Sequence, residues 1–252
     1  SFLARYRHSV QPAEYLAQLR QPALLNHRSL QLSDHAPQSA ALSPTQHIQH
    51  VGRTFALSYK QLRGNDPVDA FAQRLLAHAT CFAPGETIVR ALLLKTMEQD
   101  DEGEQWQLED AIQRLVDLGL LEEATAGALR LHRLVARFVQ QADAESMPQA
   151  QSAVEDVLLA EANRINNSGL PAVLLVWQVH LRYVTDNALL RSDKRAADLS
   201  NALGYHLNEM AAYTAAKPYL ERALAIYEAV WGQEHPDTAR SYNNLGMLLQ
   251  DM

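Results

Sequence analysis

At 252 residues the chain can bury a sizeable core, as one large domain or two to three small ones, and its 47% hydrophobic content is ordinary for a globular protein. With 22 Lys and Arg against 29 Asp and Glu, the net charge of -7 excludes the basic footprint of a general nucleic-acid or anionic-membrane binder, though not a local basic patch. The one cysteine, Cys81, cannot form an internal disulfide; it lies in an apolar stretch, is expected to be a small buried hydrophobe, and suits a reducing, cytoplasmic compartment.

No run of about 18 apolar residues occurs, so no membrane span is expected. The start, SFLARYRHSV, is amphipathic and lacks the long apolar region and cleavage site of a signal peptide. The chain begins without Met and inside a helical pattern, and NNLGMLLQDM at its end is cut off in another. The expectation is a piece excised from a longer protein.

In chain order, residues 12–20 read as a helix opened by Pro12, with Tyr15, Leu16 and Leu19 apolar. Residues 27–46, rich in Ser, His, Gln and Pro, read as a loop. A helix is expected over about 46–62, with Val51, Phe55, Leu57 and Leu62 on its apolar side. GNDP at 64–67 is a turn that starts the next helix, in which Phe71, Leu75, Leu76 and Cys81 are apolar, and APGE at 83–86 ends it.

Residues 87–140 form a compact unit. A short helix is expected over Ile88–Met97, then an acidic loop at 98–104, then a helix from about 107 to 118 with Leu108, Ile112, Leu115 and Val116 inward. Two β-like runs, Leu118–Glu122 and Ala128–Leu131, flank a Thr-Ala-Gly turn and predict a hairpin. A further helix carries Leu134, Val135, Phe138 and Val139. Helix, helix, hairpin is the order of a winged helix.

From about 147 onward the pattern is helical, with VLLVWQVHLRYV at 173–184 expected as a buried helix. NALGYHLNEM (201–210) and NNLGMLLQDM (243–252) match each other, Leu203, Gly204, Leu207 and Met210 recurring 42 residues later as Leu245, Gly246, Leu249 and Met252. A fixed period with small and large apolar residues in matched places signals a helical-repeat array. Between the copies, Ala216, Leu220 and Ala223 fit the second helix of a helix–turn–helix, GQEHPDT breaks the chain, and Pro236 opens the next helix.

YLERALAIYEAVWGQEHPDTARSYNNLGMLLQDM, with the matching 201–210 segment, resembles tetratricopeptide repeats of the kinesin-light-chain type, over roughly residues 195–252. TFALSYKQL, LLAHATCFAPGETIVRALL, LEDAIQRLVDLGLLEE and LRLHRLVARFV, in that order, resemble the regulatory half of bacterial NB-ARC proteins, which are STAND-class signalling NTPases. The resemblance implies four segments: a truncated helical domain over 1–83, a winged helix over 84–142, connector helices or a degenerate repeat over 143–194, and tetratricopeptide repeats over 195–252. The fold class expected is mainly α, a helical bundle and a winged helix with a small β-hairpin followed by α-α repeats.

The resemblance also assigns residues. LHR at 131–133 falls where the family carries its Met-His-Asp-type motif, which implies that His132 senses nucleotide by bonding the β-phosphate of ADP. An imidazole N–H can donate to an anionic oxygen without full charge. Arg133 stands where the family has an acidic residue, which leaves any contact made by that acid in doubt. In the repeats the first helix lines a groove, which implies groove positions Asp198, Asn201, Tyr205, Asn208 and Glu209 in one copy and Arg240, Asn243, Met247, Gln250 and Asp251 in the next. Asn carries donor and acceptor and can clamp a peptide backbone; the residues expected to hold a peptide are Asn201, Tyr205, Asn208, Arg240, Asn243 and Gln250.

No G-x-x-x-x-G-K-[ST] occurs in the chain. The fragment is therefore expected not to be an enzyme and to carry no cofactor of its own; ADP or ATP with magnesium belongs to the parent protein. The ten histidines include His47 and His50 at i, i+3, with His27 and His35 before them, but there is no Cys pair and no H-E-x-x-H, so no metal site is expected. The would-be DNA-reading helix, LEDAIQRLVDLG, sets Glu109, Asp110 and Asp117 against Arg114 alone, so no DNA partner is expected. The function expected is the regulatory and interaction part of a STAND-type NTPase. Its partners are a protein or peptide ligand in the groove and the upstream nucleotide-binding domain, with oligomerisation on activation and no membrane. A stand-alone tetratricopeptide adaptor is the first alternative and a winged-helix transcription regulator the second.

Overall fold

The computed structural model describes residues 54–97 and 102–252, and of residues 102–105 the backbone alone. The expectations for residues 12–20 and 27–46, for the first part of the helix from 46, and for residues 98–101 lie outside the described residues, as do His27, His35, His47 and His50. The described residues are mainly helical, as expected, with one small sheet. The described residues divide into two compact units, 54–80 with those between 84 and 150, and 81–83 with 151–252.

In the first unit residues 54–59 are helical and the chain turns after Tyr59, short of the expected end near 62. Helix α1 (Pro67–Ala79) starts as GNDP predicts: the Asp66 side chain accepts from the Asp69 N–H, and Pro67 occupies the first turn, where an N–H would find no intrahelical partner. It buries Ala72, Leu75, Leu76 and Ala79 and stops there, ahead of APGE. Next come β1 (Thr87–Ile88), α2 (Arg90–Lys95), α3 (Glu102–Asp117), β2 (Glu122–Glu123), a 3-10 turn (Thr125–Gly127), β3 (Leu129–Arg130) and α4 (Arg133–Ala142). The strands form an antiparallel sheet in the order β1-β3-β2, with Ile88 and Glu123 both opposite Leu129.

Three expectations are corrected here. The helix predicted over 88–97 is a strand and then a shorter helix, because Ile88 is buried by pairing with Leu129. The acidic loop is helical from Glu102 onward. The first hairpin strand is Glu122–Glu123 rather than a run from Leu118, because α3 closes in a Schellman turn: Leu120 N–H donates to the Leu115 carbonyl and Gly119 N–H to the Val116 carbonyl, with Gly119 at φ +67. That turn drives Leu118, Leu120 and Leu121 into the core with Leu108, Ile112 and Leu115. An ion pair to a buried carboxylate fixes α3 on α1: Arg114 Nε donates to Asp69 Oδ1 at 2.8 Å and its Nη2 to the Gln61 carbonyl at 3.2 Å, while Arg63 N–H donates to Asp69 Oδ2 at 2.9 Å.

The second unit holds α5 (Met147–Asn166) from Gln151 onward, a 3-10 helix (Pro171–Val176), α6 (Gln178–Ala188), α7 (Lys194–Glu209), α8 (Tyr213–Trp231) and α9 (Pro236–Asp251). The buried helix expected over 173–184 is broken at Trp177, where φ is -133° and ψ 14°. Leu174, Trp177 and Leu181 are buried, but Val173 is 51% and Val176 68% exposed, so the apolar run exceeds what the core takes up. Cys81 is half-buried rather than buried. Phe82 is buried with its ring edge-on to that of His180, whose Nδ1 accepts from the Ala83 N–H at 3.1 Å.

Helices α7 and α8 form an antiparallel pair, α7 approaching so closely that a Cβ on Gly204 would stand 2.7 Å from Leu220 Cγ. Ser200 Oγ donates to the Tyr219 carbonyl at 2.8 Å and the buried Tyr227 hydroxyl to Asp198 Oδ1 at 2.6 Å, so two side-chain bonds tie the first half of α7 to α8. At the α8–α9 corner, Tyr227, Trp231 and His235 stack in sequence, and Thr238 Oγ1 donates to the Gly232 carbonyl.

Candidate functional site

The two groups of residues singled out by sequence lie one in each unit. In the first, β3 ends at Arg130 and α4 starts at Arg133, so LRLHR crosses the junction between them. His132 is the N-cap of α4: its Nδ1 accepts the Leu134 N–H at 3.2 Å. This satisfies an N–H that the helix itself leaves unpaired. It also fixes the tautomer, since in a neutral ring whose Nδ1 accepts, the proton sits on Nε2. His132 is exposed, as are Arg130 and Arg133, and its ring lies 6.3 Å from that of Phe55. The junction therefore offers an N–H donor beside the positive end of a helix and two arginines, a combination suited to an anion.

In the second unit α9 lies alongside α7, and two side-chain bonds join them: Asn244 Nδ2 donates to Asn201 Oδ1 at 3.0 Å, and Asn208 Nδ2 to Asp251 Oδ2 at 3.3 Å. Asn201 and Asn208 are each only 7% exposed. Asn201 Oδ1 and Asn208 Nδ2 are thus spent on the next helix of the array rather than open as peptide clamps, while Asn208 Oδ1 has no partner. Tyr205, between them on the same face, is half-buried; burial and then the nearby Glu209 charge push its phenol up, so it stays protonated. Asn243 and Gln250 are exposed, and Arg240 is exposed with its guanidinium on Asp237 at 3.0 Å. Asp198 is held by Tyr227 and by Lys194.

Asn244, the buried partner of Asn201, was not identified from sequence. In the Asn243–Asn244 pair one residue faces in and its neighbour out, and the glycine-based count selects the outer one. Behind this face His206 is buried, with Nε2 3.4 Å from Gln178 Oε1; burial lowers its affinity for a proton, so the ring is neutral.

Among the described residues no group of three or more His, Cys, Asp or Glu is placed to hold a metal ion, and no helix is long and apolar enough to cross a membrane. No curated protein and no solved structure matches the chain. Residues 195–252 match the family model of the tetratricopeptide repeat, so α7, α8 and α9 are built from tetratricopeptide repeats, a surface for protein partners.

Proposed function

We propose that the chain is the regulatory and protein-interaction part of a STAND-type NTPase. In this reading residues 84–142 are a winged helix, residues 1–83 the helical part before it and 143–194 a connector. His132 bonds the β-phosphate of ADP in a closed form, and the repeats sense a protein or peptide ligand. The observation that carries the reading is the place of His132: a fixed Nε2–H donor at the N-terminus of α4, exposed between Arg130 and Arg133 and directly after a three-stranded β1-β3-β2 sheet. Arg133, where the family has an acid, is an exposed cation at the first position of α4.

What supports a scaffold role over DNA reading is the state of α3. Its one arginine in this stretch, Arg114, is spent on the buried Asp69, Arg90 of α2 pairs with Glu109, and the exposed side carries Trp106, Asp110, Gln113 and Asp117. A stand-alone tetratricopeptide adaptor shares the repeat surface but gives His132 no task beyond capping α4. The test is the nucleotide content of the longer protein. Purified without added nucleotide, it is expected to carry close to one ADP per chain, whereas these 252 residues alone, without a phosphate loop, bind ADP weakly at most. Nucleotide-free longer protein that gains no ADP on incubation would favour the adaptor.

A further inference from the structure

Resting on the groove reading above, we infer that the C-terminal end of the α7–α9 face is a seat for a positively charged side chain, lysine or arginine, of a bound peptide. Tyr205, Asn208 and Glu209 occupy the last turns of α7, and Asp251 of α9 is tied to Asn208. Asn208 is 93% buried by its 7% exposure, and its Oδ1 has no hydrogen-bond partner. The orientation of the amide follows from Asp251: a carboxylate only accepts, so Nδ2 faces it and the carbonyl oxygen is the orphan. A buried acceptor without a donor is costly, and a ligand that brings a donor removes that cost.

The residues next to Asn208 at the ends of α7 and α9 are acceptors as well. Glu209 and Asp251 are exposed carboxylates, and among the described ion pairs neither has a cation, whereas Asp198 pairs with Lys194 and Asp237 with Arg240. The end of α7 adds the partial negative charge of its last carbonyls. Tyr205, one turn before Glu209, offers a ring face to a cation. Met247, one turn before Asp251 on α9 and 40% exposed, offers apolar surface to the stem of a lysine or arginine. Ammonium and guanidinium groups are donors only, which is the complement of this set, and an acidic peptide would be repelled.

The test is a positional-scanning library of capped nonapeptides, one position at a time set to Arg, Lys, Gln or Glu, passed over the immobilised 252-residue chain. At one position Arg or Lys is expected to be retained about tenfold over Gln, with Glu depleted, the size of one charge-assisted hydrogen bond. In a Glu209→Gln, Asp251→Asn variant this preference falls to about parity while overall retention persists. Asn at 251 still accepts from Asn208 Nδ2, and an unchanged melting temperature checks the fold. Retention without charge preference, a preference for Glu, or an Arg preference that survives in the variant would overturn the cation seat and leave the groove. Retention of no peptide at all would overturn the groove reading, and the seat with it.

Discussion

Gly204 and Gly246 hold equivalent places in the two repeat copies, yet a Cβ at 204 would meet Leu220 at 2.7 Å and one at 246 would meet nothing within 4 Å. The same substitution should therefore act in opposite directions. Alanine gains up to about 1 kcal/mol over glycine in a helix, while overpacking costs typically about 1–3 kcal/mol. In the 252-residue chain Gly204→Ala is expected to lose about 1 kcal/mol and Gly246→Ala to gain a few tenths or more, read from urea unfolding midpoints. Equal effects would mean that the α7–α8 approach is looser than described. His78 gives a pH dependence at the same scale. Burial, then the Arg74 charge, lowers it to about 4 from 6.5, while Thr96 acts in the other direction. Its Nδ1 donates to Thr96 Oγ1, since that hydroxyl spends its own proton on the Leu93 carbonyl. A histidine whose folded pKa is depressed contributes stability above its unfolded pKa and loses it as pH falls toward the folded one. Stability should fall from about pH 6.5 to about pH 4, and His78→Gln should flatten that part of the curve. An unaltered curve in the variant would assign the loss to carboxylates instead.

At the level of elements, the joint between α5 and α7 rests on Glu155, which is 2% exposed and accepts from both Arg191 terminal nitrogens at 3.0 and 2.8 Å, with Arg195 at 3.9 Å. Removing Arg191 leaves a buried carboxylate with one distant cation and the neutral Gln151 amide, which donates to it at 2.8 Å. Arg191→Ala is expected to cost about 3 kcal/mol, and restoring part of it with Arg191→Ala, Glu155→Gln would show that the stranded charge is the cause. The elements differ in how legible they were. GNDP announced α1 because an N-cap and a proline act within four residues, and the Leu203–Gly204–Leu207 pattern announced α7 because close packing demands it. β1 was not legible: two residues show no alternation, and Ile88 joins the sheet through Leu129, more than forty positions away. The break at Trp177 was hidden because an apolar run does not say which of its members the core will cover. At the site, the junction position of His132 was legible, whereas the burial of Asn201 and Asn208 depends on Asn244 and Asp251, a repeat length further on.

For the molecule as a whole, the net charge of -7 and the internal pairing of Arg114 with Asp69 leave α3 without free cations toward phosphate. No salt-resistant, sequence-dependent shift of duplex DNA is expected in a gel assay, and one would favour the transcription-regulator reading. The central claim is that nucleotide state is read at His132. A hydrogen bond to a charged group is worth roughly 1.5–3 kcal/mol, which is about 10- to 150-fold in an equilibrium at about 1.4 kcal/mol per tenfold. The most direct measurement is the dissociation rate of ADP from the longer protein, compared for the wild type, His132→Ala, and Glu145→Ala in the exposed turn after α4 as control. Faster release by about 10- to 150-fold for His132→Ala, with Glu145→Ala unchanged, is the predicted result. Equal rates for all three would contradict the claim and leave His132 as the cap of α4.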